Sequence, residues 1–212
     1  MSSTATAAPR RQASTWNYTR TAIYWLGAMP AVSTFYLAIA DQLGADPMKT
    51  LEQTLGLWAL RFLIVSLAVT PLRRLGGPNL LRYRRACGLL AFSYAVLHLT
   101  VYIVLDQGLD LAAVWRDIVK RPFITVGMVA FVILVPLAVT SNNTMIRRLG
   151  AEAWTRLHKW VYAAAALAAI HFVMVVKSWP PEPLIYAAIV AVLLAFRLFP
   201  PKRKSRTARG TA

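Results

Sequence analysis

The chain has 212 residues, 58% of them hydrophobic and only 15% charged, a balance too apolar for an ordinary soluble domain. Its 24 Lys and Arg against 8 Asp and Glu give a formal charge of +16. The basic residues cluster between long apolar runs, which argues for membrane-orienting charges and against a phosphate-binding stripe or nucleic-acid partner. A single cysteine, Cys87, excludes a disulfide framework and a Cys-based zinc or iron–sulfur site within the chain, and without a C-x-x-C-H motif no haem is thioether-linked.

The first twenty residues form a polar tail rich in Ser, Thr and Ala with Arg10, Arg11 and Arg20. The run that follows, Thr21–Ala40, is long enough to span a bilayer and carries Trp25, Pro30 and Tyr36. It is therefore read as a retained first helix and not as the short apolar segment of a signal peptide. Five further apolar runs follow in order: Gly56–Leu72, Gly88–Leu105, Phe123–Thr140, Trp160–Val176 and Leu184–Phe199. Each approaches the roughly 20 residues that cross ~30 Å of hydrocarbon. The runs are continuous and not alternating, which specifies helices and excludes a β-barrel. The expected fold is all-α: a basic tail at 1–20, a six-helix membrane domain at 21–200 and a basic tail at 201–212.

The loops give an orientation. Arg10, Arg11 and Arg20 precede the first run; Arg73, Arg74, Arg82, Arg84 and Arg85 follow the second. Arg147, Arg148, Arg156 and Lys159 follow the fourth, and Lys202, Arg203, Lys204, Arg206 and Arg209 close the chain. The alternate loops hold Lys49, then Arg116, Lys120 and Arg121, then Lys177, diluted by acidic residues. Positive-inside bias thus predicts that both termini are cytoplasmic. No connection is long enough for a soluble catalytic domain, and no dinucleotide or P-loop signature occurs, so chemistry must happen within the bundle or on a partner.

Of the three histidines, His98 and His171 lie inside apolar runs, where ionisable side chains default to a functional reading. Counted from Cys87 and Lys159, each sits about 16–18 Å from the basic ends of helices that run in the same direction. Two imidazoles at one level on parallel helices are what two axial ligands to one haem iron require. Each also ends a stripe of small residues: Gly88, Ala91, Ala95 and His98; Ala164, Ala168 and His171. His158, thirteen residues before His171, stands at the cytoplasmic edge. Two readings fit it: a ligand for a second haem nearer that surface, needing local helix distortion to align with His171, or an interfacial histidine of no further role. Arg61, near the outer end of the second run, either snorkels to the interface or pairs with a haem propionate.

Several motifs together resemble a known family. Leu67-Ala68-Val69-Thr70-Pro71-Leu72-Arg73-Arg74, Arg84-Arg85-Ala86-Cys87-Gly88-Leu89, His98, Pro136-Leu137-Ala138-Val139-Thr140-Ser141, Arg156-Leu157-His158-Lys159-Trp160-Val161-Tyr162 and His171 are similar to motifs of the ferric-reductase-like transmembrane proteins. Within that family the likeness is to haem-binding membrane subunits of periplasmic methionine-sulfoxide reductase systems. The resemblance implies b-type haem held by His98 and His171, electrons drawn from the quinone pool or a flavin, and delivery to MsrP, a molybdenum-dependent catalytic partner in the periplasm. It implies the bacterial inner membrane as location. It also suggests FMN, for which the sequence offers no recognisable site. Relatives with four histidines stack two haems, whereas this chain supplies three. The alternatives are an electron carrier serving another acceptor, which would need a separate donor, and a transporter or assembly factor, disfavoured by the lack of Asp or Glu in the middle apolar segments.

Overall fold

The computed structural model describes residues 11–176 and 180–198. The expected tail at 201–212, the first ten residues, Lys177 and Phe199 lie outside them. Among the described residues the chain is all-helical: α1 (Arg11–Ile39), α2 (Pro47–Arg74), α3 (Arg84–Val101), α4 (Leu111–Lys120), α5 (Pro122–Val139), α6 (Asn143–Leu149), α7 (Ala151–His158), α8 (Val161–Val175) and α9 (Pro181–Leu198). Five stretches are long and apolar enough to cross a membrane: Thr21–Ile39, Pro47–Arg74, Leu81–Asp106, Pro122–Val139 and Ala151–Val175. The expected sixth run lies within α9, which packs on α8 and α2.

Helix boundaries extend past the apolar runs because caps, and not hydropathy, decide where a helix starts. Asp46 accepts a hydrogen bond from the Lys49 backbone N–H at 3.2 Å, and Pro47 occupies the first turn, so α2 begins nine residues ahead of Gly56. Asp110 caps α4 in the same way through Ala113, and Asn142 caps α6 through Met145. α4 was expected only as loop. It is amphipathic, burying Val114 while Leu111, Trp115 and Val119 stay exposed. Its Asp117 receives the Tyr102 hydroxyl at 3.0 Å and pairs with Arg121 at 3.1 Å, which ties it to the end of α3.

Two helix pairs, α2 with α3 and α5 with α8, make the closest contacts in the bundle. The main core joins Leu60, Leu63 and Leu67 of α2 to Ala91 of α3, Leu134 of α5, Ala164, Ala165 and Ala169 of α8, and Val190 of α9. Small residues at these positions let helix backbones approach, which substitutes for a hydrophobic driving force in lipid. The lipid side is equally apolar: Trp25, Leu26, Met29, Val32 and Tyr36 of α1 and Val129, Val132 and Val139 of α5 are exposed.

A second core fixes α1, which contains Pro30. Proline lacks an N–H and its ring crowds the carbonyl one turn back, which weakens the local helical ladder. Tyr94 of α3 inserts there: its hydroxyl accepts from the Ala31 N–H at 2.9 Å and donates to the Gly27 carbonyl at 2.7 Å. It thus bridges the two ends of what would be one i to i−4 rung. The side chain is 2% exposed and packs with Ala31, Leu51, Leu55 and Val101. Replacing Tyr94 with Phe removes both bonds while keeping the ring. Since Ala31 and Gly27 can partly close on each other, the expected loss is about 1–2 kcal/mol, read as a lowered unfolding midpoint in detergent titration.

Candidate functional site

His98 is on the last turn of α3 and His171 lies just before the last turn of α8, so both lie toward the end of the bundle away from the arginine-rich loops. Their partners sharpen that position. His98 Nδ1 is 2.9 Å from the Glu52 carbonyl, near the start of α2, and His171 Nδ1 is 2.7 Å from the Phe123 carbonyl, at the start of α5. Both accepting carbonyls lie near the starts of their helices, at the end of the bundle away from the arginine-rich loops.

Chemistry fixes the tautomers. A carbonyl oxygen only accepts, so each Nδ1 carries the proton and each Nε2 keeps its lone pair. No hydrogen bond from Nε2 of either ring is found among the described residues. The ring centroids are 6.3 Å apart and the planes cross at 74°. Two metal–nitrogen bonds of about 2 Å, plus about 1 Å from each nitrogen to its ring centre, place two axial imidazoles about 6 Å apart. The observed spacing and donor set fit two axial ligands on one iron.

Glycine makes these anchors possible. A Cβ at Gly56 would lie 3.1 Å from His98 Nδ1, and one at Gly127 would lie 2.8 Å from His171 Nδ1. Sequence reasoning missed both residues; the signal available was a lone glycine inside or beginning an apolar run. The expected small stripes are present, but Ala91 and Ala164 face the main core and so serve helix packing.

His158 stands apart at the basic end. α7 stops at His158, and a turn at Lys159–Trp160 precedes α8, which is the local distortion that a long continuous helix would have lacked. Its ring stacks on Trp154 at 3.8 Å, and Nδ1 lies 3.1 Å from the Trp154 carbonyl. Nε2 is 3.4 Å from Ser141 Oγ, whose hydroxyl donates to the Leu137 carbonyl at 2.7 Å. Trp154 Nε1 donates to the Thr140 carbonyl and Arg85 to the Asn143 side chain, which close the ends of α5, α6 and α7 around it.

A family described as "Ferric reductase like transmembrane component" matches residues 55–169, a little over half of the chain, including His98 and His158 and stopping just short of His171. Proteins of Brucella ovis, Brucella canis and Brucella melitensis named "Protein-methionine-sulfoxide reductase heme-binding subunit MsrQ" are 62% identical over 184 residues, which is 87% of this chain and 83% of each relative. The chain belongs to the MsrQ family of ferric-reductase-like transmembrane proteins. In this MsrQ-family chain five helical stretches are long and apolar enough to cross a membrane, and the His98 and His171 rings lie 6.3 Å apart.

Arg61 is engaged by α9. Its Nε donates to the Tyr186 hydroxyl at 2.7 Å, its guanidinium lies 4.8 Å from the Trp58 ring centre, and a terminal nitrogen is 4.0 Å from Glu182. The carboxylate is more than half exposed, so solvent screens that pair. The hydrogen bond carries more of the tie between α2 and α9. Accordingly Tyr186→Phe is expected to cost about 1 kcal/mol and Glu182→Gln less than about 0.5 kcal/mol, compared by detergent unfolding of the two variants.

Proposed function

We propose that this chain is the b-type haem-carrying electron-transfer subunit of a methionine-sulfoxide reductase system in the bacterial inner membrane. It takes electrons from the quinone pool or a flavin donor and passes them to a periplasmic MsrP. The carrying observation is the pair His98 and His171, with ring centres 6.3 Å apart, each anchored at Nδ1 by a helix carbonyl and each left with an Nε2 lone pair. The printed name of the Brucella relatives, a haem-binding subunit of that reductase, supports the reading.

A haem bound there supplies reversible one-electron storage. The protein's own groups do the rest. Glu52 and Phe123 carbonyls hold the imidazoles in the ligating tautomer. The apolar helices around them exclude water, and the core that α3 and α8 share with α2 and α5 brings the two histidine-bearing helices within reach of each other. Arg61 is assigned to the α2–α9 tie, since a propionate contact would compete with Tyr186 and Glu182 for its guanidinium. α9 is assigned as the sixth span, and positive-inside bias puts both termini in the cytoplasm. On that orientation the histidine pair lies close to the periplasmic surface, where electrons leave.

His158 is assigned to the entry side, either influencing electron entry or ligating a second, weaker haem, on its place at the basic end thirteen residues before His171. His98→Ala and His171→Ala should each abolish the principal haem while membrane insertion survives; either variant with full haem content and an unchanged low-spin spectrum sinks the assignment. His158→Ala should lower the reduction rate more than principal haem content, so wild-type behaviour in both would leave it a surface histidine.

Direction and partner are tested together. Reduced protein in oriented vesicles is offered purified MsrP on one face at a time while haem reoxidation is followed. Reoxidation from the periplasmic face alone is expected. Reoxidation from the cytoplasmic face alone, or from neither, refutes the direction and the partner. The outer segments on which the partner would dock, Asp41–Leu55, Asp106–Pro122 and Lys177–Pro183, are close to neutral or mildly acidic, so the reoxidation rate should depend only weakly on salt.

A further inference from the structure

The two histidine anchors are the same device used twice. In each, a helix carbonyl at position i receives the imidazole, and the residue at i+4 is glycine: Glu52 with Gly56 on α2, Phe123 with Gly127 on α5. A helical carbonyl already points at the N–H of residue i+4, and it has a second lone pair for an outside donor. Side chains at i and i+4 lie one above the other on the same face, so a Cβ at i+4 would stand where the imidazole does. At Gly127 it would be 2.8 Å from His171 Nδ1 and 2.9 Å from Cε1, too close for any real carbon. At Gly56 the corresponding distances are 3.1 and 3.2 Å, so His98 would have to yield by a few tenths of an ångström. Neither ring can yield freely, because turning it stretches an Nδ1 bond of 2.7 or 2.9 Å.

An independent observation says what the device sets. The imidazole planes cross at 74°, close to perpendicular. Two unconstrained rings would have no reason to hold that angle. Here each is pinned about its own axis by a hydrogen bond on one edge and a bare helix backbone behind it.

We propose that Gly56 and Gly127, acting with the Glu52 and Phe123 carbonyls, are positioning residues that fix the near-perpendicular planes of His98 and His171 and thereby the electronic state of the iron these ligands would hold. The inference rests on the haem reading above. Perpendicular axial imidazoles leave two iron d orbitals nearly degenerate, which gives a highly anisotropic, ramp-like low-spin electron paramagnetic resonance signal. Parallel planes give an ordinary rhombic spectrum. Orienting groups of this kind also hold ligand affinity, with typical losses of about 10–100-fold when they are removed.

The protein supplies its own controls. A Cβ at Gly88 would meet Ser66 Oγ at 3.7 Å, an ordinary contact, whereas one at Gly27 would press on Leu90 Cδ1 at 2.5 Å, a packing clash with no imidazole involved. Wild-type, Gly56→Ala, Gly127→Ala, Gly88→Ala and Gly27→Ala proteins are expressed with haem supply and compared in isolated membranes for haem per chain, resonance spectrum and midpoint potential. The wild type should give the ramp-like signal. Gly127→Ala should lose it and retain haem about tenfold less tightly, and Gly56→Ala should shift the signal and the potential more mildly. Gly88→Ala and Gly27→Ala should keep the wild-type spectrum even where Gly27→Ala lowers protein yield. A rhombic wild-type spectrum overturns the proposal, and this result stands if Gly127→Ala fails to accumulate. Wild-type spectra in both Gly56→Ala and Gly127→Ala, or an equal change in Gly27→Ala, overturn it as well. A wild type that binds no haem at all defeats instead the haem reading on which the proposal rests.

Discussion

A polar ring placed among lipid-facing helices must satisfy its hydrogen-bonding groups from protein, since hydrocarbon offers none. For His98 and His171 the answer is the backbone of the neighbouring helix, which meets one nitrogen and leaves the other for a ligand. Much of the bundle follows from that arrangement. α2 must run close along α3, and α5 along α8, with the accepting carbonyl near each helix start. The two pairs then join through α3 against α5 and α2 against α8, around one shared core, and the two imidazoles end 6.3 Å apart.

The remaining elements brace this centre. α1 is joined to α3 by a tyrosine hydroxyl that takes over a weakened stretch of its ladder beside Pro30. α9 closes against α2 and α8, held at one end by Arg61 on Tyr186 and at the other by Arg197, which donates to the Leu67 carbonyl, and Arg74, which donates to the Phe196 carbonyl. α3 itself does not stop after His98 but widens into a π-helical turn, Tyr102–Asp106. Such wide turns redirect the chain without breaking it, and here the change of direction carries Tyr102 onto Asp117 of α4.

Much of this was legible in the sequence, and the parts that were not share a cause. The membrane spans and the common level of His98 and His171 follow from run lengths and charge placement, which are one-dimensional properties. The helix starts at Pro47 and Arg84 did not follow, because Lys49, Glu52, Gln53 and Thr54 look like a loop to any hydropathy criterion while Asp46 and Pro47 cap a helix. Amphipathic α4 was lost in the same way. Arg61 had no acidic neighbour on its own helix, so its partners Tyr186 and Glu182 could be found only by folding α9 beside it. Gly56 and Gly127 were hidden for a deeper reason: their function is the absence of a side chain opposite a ring that belongs to another helix, and no spacing within one segment encodes that.

The atoms that hold the imidazoles at positions 52 and 123 belong to the main chain. A carboxylate side chain stands at one and an aromatic at the other, yet both supply the same oxygen. The side chains have their own surroundings, the Phe123 ring lying 6.4 Å from the His171 ring, but the oxygen is one that any residue could supply. One helical turn further along, the opposite holds, since an added carbon would press on the imidazole. Along α2 and α5 a position whose main-chain oxygen does not depend on its side chain thus stands one turn before a position whose lack of a side chain is what counts, and the histidine pair constrains inheritance at the second more strictly than at the first.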